Sequence, residues 1–540
     1  MAEFTPGTRI SLMYGKIAEV VRKLGEGGQG IVYEVKVDGK PYALKWYTCD
    51  FPRREAFIKN MKEKIIQLGA PDEKFLWPLY FAEEQQGSFG YVMNLRPREY
   101  SDFADFLNAY IRFPSLQTRI ATALNLVTAF RSLHKKGFSY QDLNDGNFFI
   151  NMNTGDVLIC DNDNVTPGNA KNAGQVGGKP GYMAPEVVIG NSNPNTLTDY
   201  YSLAVILFKL FIMHDPIMGA LYVKLTEKDT LPIVEMELYG KNPVFIFDPN
   251  DTRNKPVKEI HKNPINLWPL YPKLFQDAFI RSFVTGVKDP NARLPENVWQ
   301  ETLIRIRDDL SICPKCKNEF FWSDKDTTGC DCGAVYPAPS CICVGPFRVP
   351  IFPGQKVYAC HTTNVKDEYT AITGEIVTSK KDATQFGLRN FSDDSWTYLS
   401  EQGETKIAAK GNVIPLNLVK TIEFKKVVGK ISDGKNEPSQ GLCLFVKNYQ
   451  VPLSGGQKLY ACHTLAASDD RSAITGEITT NKKNPNLLGI RNLSDDEWTF
   501  TASTGEKKSI KKGEVIPIPE DTGSGILVNF RDIIGKIAVI

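Results

Sequence analysis

The sequence predicts a multidomain chain: an α+β domain of about 308 residues, then a small metal-held ribbon, then two all-β sandwich repeats. Three observations predict it. The first part carries a glycine-rich turn between strand-like runs and, later, a polar loop with Asp142 and Asn147 five residues apart. Four cysteines at metal-ligand spacing follow, Cys313, Cys316, Cys330 and Cys332. The remainder repeats itself at an offset of 102 residues, as Trp396 and Trp498 show. A length of 540 residues exceeds one hydrophobic core, so three or four domains are expected. The 42% hydrophobic and 23% charged fractions are ordinary for a soluble protein, and a net charge of +2 gives no reason to expect nucleic acid or a charged membrane surface. The longest apolar run, 200–213, contains Lys209 and is too short to span a bilayer. Eleven cysteines, an odd and clustered set, fit a reducing cytoplasm better than a disulfide framework.

In chain order, Gly25-Glu26-Gly27-Gly28-Gln29-Gly30-Ile31-Val32 satisfies G-x-G-x-x-G-x-V between strand-like runs at 17–24 and 31–37. Glycines there let backbone close over phosphates with no Cβ in the way. A strand-turn-strand setting favours a phosphate-covering loop over a dinucleotide site. Ala43-Leu44-Lys45 lies twenty residues beyond Gly25, and Glu63 lies eighteen beyond Lys45 within a helical pattern, with Glu55 as the alternative. A strand-like run ends in Met93-Asn94-Leu95-Arg96. A helix at 115–136 leads to the loop Tyr140-Gln141-Asp142-Leu143-Asn144-Asp145-Gly146-Asn147. After a hairpin comes Cys160-Asp161-Asn162-Asp163, with Asp161 nineteen residues past Asp142. Ala184-Pro185-Glu186, Asp199 and Arg293 follow.

Seven ordered elements at these spacings resemble a eukaryotic-like Ser/Thr protein kinase domain over residues 1–308. The resemblance implies a bilobal fold, with an N-lobe at about 1–95 and a C-lobe at about 96–308. It implies that Gly25, Gly27, Gly28, Gly30 and Val32 cover ATP, that Lys45 contacts its phosphates, and that Glu63 pairs with Lys45. Ala43, the gatekeeper Met93 and the backbone of Asn94 and Arg96 would then hold adenine. Asp142 would accept the substrate hydroxyl proton, while Asn147 and Asp161 hold Mg²⁺. Glu186 and Arg293 would pair, and Asp199 would brace the catalytic loop.

Departures from the family pattern carry information too. Gln141 replaces the arginine before Asp142, and between Asp161 and Glu186 the only hydroxyl side chains are Thr166 and Tyr182. Activation by loop phosphorylation is therefore not expected. Asn162 and Asp163 stand where Phe and Gly are usual, and Asp163 could add a second carboxylate near the metal. Asn144 takes the place of the family's catalytic-loop lysine, and Lys179 the place of a threonine that meets it, so one lysine is lost and another gained. Residues 240–262 exceed the usual length and read as a surface insertion, a candidate partner site.

Cys313-Pro314-Lys315-Cys316 and Cys330-Asp331-Cys332, with Phe320-Phe321-Trp322 between them, resemble a zinc ribbon over 309–337 that needs its metal to fold. Cys341 or Cys343 could substitute at the tight second turn. A linker is expected at 338–345, then repeats at 346–437 and 438–540. Gly354-Gln355-Lys356 returns at Gly456-Gln457-Lys458, and Gly387-Leu388-Arg389-Asn390 at Gly489-Ile490-Arg491-Asn492. Short alternating runs between turn residues argue for sandwiches. The pattern N-[LF]-S-D-D-x-W-T with a following G-E-x-K is similar to the second half of forkhead-associated domains; an Ig-like module is the other form. Recruitment or spacing is expected of them, with phosphopeptide binding the second reading. Cys360-His361 and Cys462-His463 are not expected to share a metal, because neighbours on a strand point to opposite faces.

The function expected is ATP·Mg²⁺-dependent phosphorylation of protein Ser or Thr, with a nucleotide-binding pseudokinase scaffold as the alternative. The architecture resembles kinases that bacteria carry beside a metal-dependent phosphatase and a von Willebrand A-type protein, which implies those two as partners.

Overall fold

The computed structural model describes residues 3–48, 54–85, 87–167, 178–322, 327–363, 365–400, 404–424, 427–432, 442–447, 449–453, 458–466, 468, 470, 473–481, 487–501, 507–518 and 526–539. Residues 168–177, the expected repeat boundary at 437 and the pair Gly456-Gln457 lie outside them. The chain forms two compact units, 1–307 and 308–540.

The first unit opens with an antiparallel six-stranded sheet: β1 (Arg9–Ser11), β2 (Ile17–Gly27), β3 (Gly30–Val37), β4 (Lys40–Tyr47), β5 (Tyr80–Gln85) and β6 (Ser88–Asn94), in the order β1-β2-β3-β4-β6-β5. Alternation along β4 decides what each face does. Leu44 and Trp46 join Val20, Tyr33, Val35 and Val92 in the cluster on one face. Ala43 and Tyr47 point the other way, into a second cluster with Met61, Phe89, Tyr91 and Met93. Lys45 shares that second face, and its cross-strand partner is Tyr91. The site lysine is thus placed by the pleat itself. Gly30 is required at the start of β3, because a Cβ there would collide with the Trp46 carbonyl. A helix at Arg54–Asn60 continues in wider turns over Met61–Ile66, burying Met61 and Ile65 and leaving Glu63 in solvent.

The helical half of this unit is built on two helices. Leu116–Lys135 starts at an Ser115 cap that accepts from the Thr118 N–H at 3.0 Å. Thr196–Ile212 starts at a capping box between Asn195 and Thr198. The second is buried on nearly every side, as its all-round apolar sequence requires. It is the long apolar run of the sequence; among the described residues no helix is long and apolar enough to cross a membrane. Residues 240–262 are not a surface insertion. Phe245 and Ile246 are each 1% exposed, and Phe247 stacks on Trp268 at 4.4 Å. Buried Asn254 donates to the carbonyls of Ile217 at 2.7 Å and Val244 at 2.6 Å, which ties the segment into the core.

The second unit begins with two short hairpins, Leu310–Ile312 with Glu319–Phe321 and Thr327–Gly329 with Val335–Pro337. Each repeat then forms one six-stranded and one four-stranded antiparallel sheet in the same strand order. In the first copy the larger sheet runs Phe347–Pro350, Cys341–Val344, Val428–Ser432, Val419–Glu423, Trp396–Ser400, Thr405–Ala408. The smaller runs Lys356–Tyr358, Ile372–Thr378, Phe386–Asn390, Val413–Pro415. Side chains of both sheets fall into one cluster per copy, around Trp396 and around Trp498. Gly374 and Gly476 make room for the indole edges: a Cβ would lie 3.0 Å from Trp396 and 2.7 Å from Trp498.

Two expectations are corrected here. Cys341–Val344 is an inner strand of the first repeat, paired with Val428–Ser432, so 338–345 is not a linker. Its counterpart pairs Cys443 with Pro452 where the first copy pairs Cys341 with Pro350, again at 102. Cys360-His361 and Cys462-His463 sit on short helices, Ala359–Thr363 and Ala461–Thr464, and not on strands. There His361 is fully buried and binds Asp308 at 2.8 Å. The N-x-S-D-D pattern is a turn: Asn390 donates to the carbonyls of Asp394 and Ala408, and Asn492 repeats this with Asp496 and Ile510.

Candidate active site and cysteine cluster

β2 and β3 pair to their ends, Gly27 opposite Gly30, so Gly28 and Gln29 form the tip of the hairpin. A Cβ on Gly25, Gly27 or Gly28 would meet nothing within 4 Å, which leaves that edge open for a ligand. Beneath it, Lys45 is 5% exposed, and its Nζ lies 3.2 Å from Asp161 Oδ1, 3.2 Å from Asp163 Oδ2 and 3.0 Å from Gln29 Oε1. Burial works against its charge, but Asp163 and Asp161 hold the ammonium well above its usual range. Glu63 is not brought to Lys45, and Glu55 is equally exposed. Among the described residues the lysine's acidic partners are the two aspartates of the D-N-D triplet. Val32, Ala43, Met93 and Phe149 belong to one apolar cluster, the surface an adenine ring needs. Met93 stands opposite Ala43, Asn94 is exposed at the end of β6, and the Arg96 guanidinium lies 4.2 Å over the Phe149 ring.

In the loop 140–147, Asn144 Nδ2 donates to Asp142 Oδ1 at 3.0 Å, and Asn147 Nδ2 donates to the Asp142 carbonyl. Asn144 therefore orients the carboxylate where the family has a charge. Burial pushes the Asp142 carboxyl up to about 6; the Asn144 bond opposes this and nearby Asp161 adds to it. That is nearer the working range of a general base than a free aspartate. Asp161 takes a left-handed backbone, φ 53°, and gives only Oδ1 to Lys45. Its second oxygen and the Asn147 amide oxygen are hard donors of the type Mg²⁺ prefers, so the pair fits that ion. Asp163 is not open to a metal, because its side chain is 0% exposed and Lys45, Tyr47 and Tyr91 take its oxygens. Lys179 reaches back to this loop, but its partner is Asp145, at 2.9 and 3.1 Å, and not Asp142. With Ala104, Asp142, Asn144, Gly146 and Gly178 these two line one cleft of about 480 Å³.

The frame behind the loop is ionic. Asp199 accepts from the Tyr140 N–H at 2.7 Å and the Gln141 N–H at 3.3 Å, and binds His134 at 3.0 Å. His134 also binds Glu296. Burial alone would lower the His134 pKa, but Glu296 and Asp199 raise it to about 9. Arg293 clasps Glu186 with two bonds of 2.8 Å, as expected. The pH consequence follows in sign. A raised histidine pKa stabilises the fold below its unfolded value near 6.5 and loses that contribution as pH rises through about 9. The full chain is expected to lose about 3 kcal/mol between pH 6 and pH 10 through this group. His134→Gln should flatten that part of the slope in thermal melts, and an unchanged slope would remove the assignment.

The four sulfurs of Cys313, Cys316, Cys330 and Cys332 lie within 4.8 Å of one another, with closest pairs at 3.7 and 3.6 Å. Four thiolates at a Zn–S distance of about 2.3 Å form a tetrahedron with edges of about 3.8 Å, so the donor set fits zinc. All four, and Cys160, Cys341, Cys343, Cys360 and Cys462 as well, are free of disulfides. Cys341 accepts from Arg348 Nε at 2.9 Å and Cys343 is on the same strand; neither joins the cluster.

Sequence reasoning gave Asp163 to the metal rather than to Lys45, and missed Asp145 and His134 as working parts. Asp145 sits in the very loop that was read, but its partner is 34 residues away. His134 ends the helix before that loop, and its partner Glu296 is 162 residues away.

Residues 18–267 match the family described as protein kinase domain. The chain is 26% identical over 199 residues to serine/threonine-protein kinase sck2 of Schizosaccharomyces pombe, covering 35% of this chain and 30% of that one. It is 26% identical over 219 residues to serine/threonine-protein kinase AtPK1/AtPK6 of Arabidopsis thaliana, covering 37% and 43%. It is also 26% identical over 202 residues to beta-adrenergic receptor kinase 1 of Homo sapiens, covering 36% and 29%. The chain spans less than half the length of these relatives. Over residues 18–267 it carries a protein kinase domain.

Proposed function

We propose that this chain transfers the γ-phosphoryl of ATP to a serine or threonine hydroxyl of a protein, with the second unit recruiting that protein. The observation that carries the reading is the convergence of Asp142, Asn147, Asp161 and Lys45 on one site, each with the partners its task needs. Lys45 binds the α- and β-phosphates under the glycine hairpin. Asp142 orients the substrate hydroxyl and takes its proton as the new O–P bond forms. Asn147 and Asp161 would hold Mg²⁺, which when bound supplies positive charge between the phosphates. The features that suggested a pseudokinase have other uses: Asn144 aims Asp142, and Gln141 binds Thr166. Transfer of label from γ-labelled ATP to protein serine or threonine, assayed beside Asp142→Asn, tests the proposal. The metal-dependent phosphatase and von Willebrand A-type protein are the first substrates to try. Equal labelling by both chains would sink it.

The cysteine segment is read as a structural zinc ribbon and the repeats as β-sandwich recruitment modules. In both copies the serine of N-x-S-D-D bonds its own turn, Ser392 to Asn390 and Ser494 to Asn492. That favours binding of unmodified protein over phosphopeptide.

Lys179 is read as the replacement for the missing catalytic-loop lysine. Its bond to Asp145 is half exposed and adds little stability, so its value is one of position. From the cleft wall it supplies a cation where the phosphoryl in transit carries charge. Lys179→Thr is expected to lower kcat by ~10–10³ with little change in ATP affinity. Adding Asn144→Lys should recover part of the loss; a strictly additive double variant, or a single variant as fast as the original, would show the swap to be incidental.

A further inference from the structure

Asp163 carries a contact set that its neighbours in the triplet lack. Its side chain is 0% exposed. Lys45 Nζ donates to Oδ1 at 3.3 Å and to Oδ2 at 3.2 Å, the Tyr91 hydroxyl donates to Oδ1 at 3.0 Å, and the Tyr47 hydroxyl donates to Oδ2. A carboxylate is tolerated out of water only when its charge and its lone pairs are met. One ammonium and two phenols meet both here. All three donors come from one patch of sheet: Lys45 and Tyr47 are alternate residues of β4, and Tyr91 is the cross-strand partner of Lys45. Asn162 fixes the approach from the other side, donating to the carbonyls of Leu76 at 3.0 Å and Ile159 at 2.9 Å. Asp161, by contrast, keeps 37% of its side chain exposed toward the site. The two carboxylates have divided the work, one facing in and one facing out.

We infer that Asp163 is the positioning residue for Lys45 and stands in for the helix glutamate. In kinases that glutamate must swing in with its helix before the lysine is set, and helix position is therefore a control point. Here Glu63 is exposed on its helix, while the lysine is held from the strand-to-loop side by a carboxylate with no helix to move. The grip on the nucleotide's phosphates is built on the sheet, and the Arg54–Ile66 helix, which packs Phe57 5.8 Å from the Tyr47 ring, supplies packing there and no acid to the lysine.

The inference rests on the kinase reading, and titration of the full chain with Mg·ATP separates the two. Asp163→Asn is expected to weaken ATP binding about tenfold or more, the loss of a charge-assisted hydrogen bond to a buried lysine. Glu63→Gln should stay within about twofold, as for a solvated surface residue. In a Lys45→Met background, adding Asp163→Asn should cost no more than about twofold further, because its effect passes through the lysine. A merely structural aspartate would give additive losses there, and that outcome overturns the inference. So does a tenfold loss on Glu63→Gln, a result that decides the matter even if the Asp163→Asn chain does not fold. A chain that binds Mg·ATP but transfers nothing fails the kinase reading and leaves this test intact; one that binds no nucleotide overturns both.

Discussion

Asp142→Asn protein is expected to bind Mg·ATP as the unsubstituted chain does and to transfer phosphoryl ~10²–10⁴ more slowly, or ~2.7–5.5 kcal/mol in barrier height. The substitution keeps the shape of the side chain. Its amide can still meet Asn144 and Asn147 still has the residue 142 carbonyl, so the loop should keep its form. What is lost is the acceptor for the hydroxyl proton. Because burial already raises the Asp142 carboxyl to about 6, the residue is a stronger base than a surface aspartate, and the loss falls on turnover alone. A fall in ATP affinity as large as the fall in turnover would mean that the residue binds nucleotide and does not act on the hydroxyl.

Zinc removal should have the largest structural effect. Binding to four thiolates carries ~10–16 kcal/mol in comparable small domains, more than two three-residue hairpins can supply by packing. The buried side chains around the cysteines are Cys313, Cys330, Phe320 and, from beyond residue 337, Phe352, with Trp322 and Tyr336 packed against them. Purified protein is expected to carry about one zinc per chain. Cys313→Ser or a chelator should release it and change the emission of Trp322, whose indole donates to Ser311 at 2.9 Å and lies 5.1 Å from Phe352. Elemental analysis that finds no zinc, or a Cys313→Ser chain with a full complement, would remove the ribbon.

The parts legible in the sequence are those fixed over short range. Asp142, Asn147 and Asp161 were singled out because a loop, a hairpin and a second loop set their spacing. Lys45 was singled out by its place in Ala43-Leu44-Lys45, twenty residues beyond Gly25. The 102-residue offset found both repeats, though the first strand was missed; residues 338–345 read as a linker, and only backward extension of the repeat, Cys341 to Cys443, recovers Cys341–Val344. Glu63 was chosen by distance along a helix, and distance says nothing about which carboxylate reaches a lysine 118 residues from Asp163. Residues 240–262 were judged by length, when the run Phe245-Ile246-Phe247 already asked for burial. The Cys-His pairs were judged by strand alternation, which a single helical turn cancels.

One contact has a bearing on time as well as on structure. Gln141 donates its amide to the Thr166 hydroxyl, and Thr166–Pro167 pairs with Phe138–Ser139, so the root of the loop after Asp163 is fastened to the catalytic segment by neutral groups. Residues 168–177 contain no hydroxyl side chain. A fastening of this kind carries no formal charge, so salt scarcely loosens it, whereas a phosphate on the Thr166 hydroxyl would break it. Such a contact is in place as soon as the chain has folded.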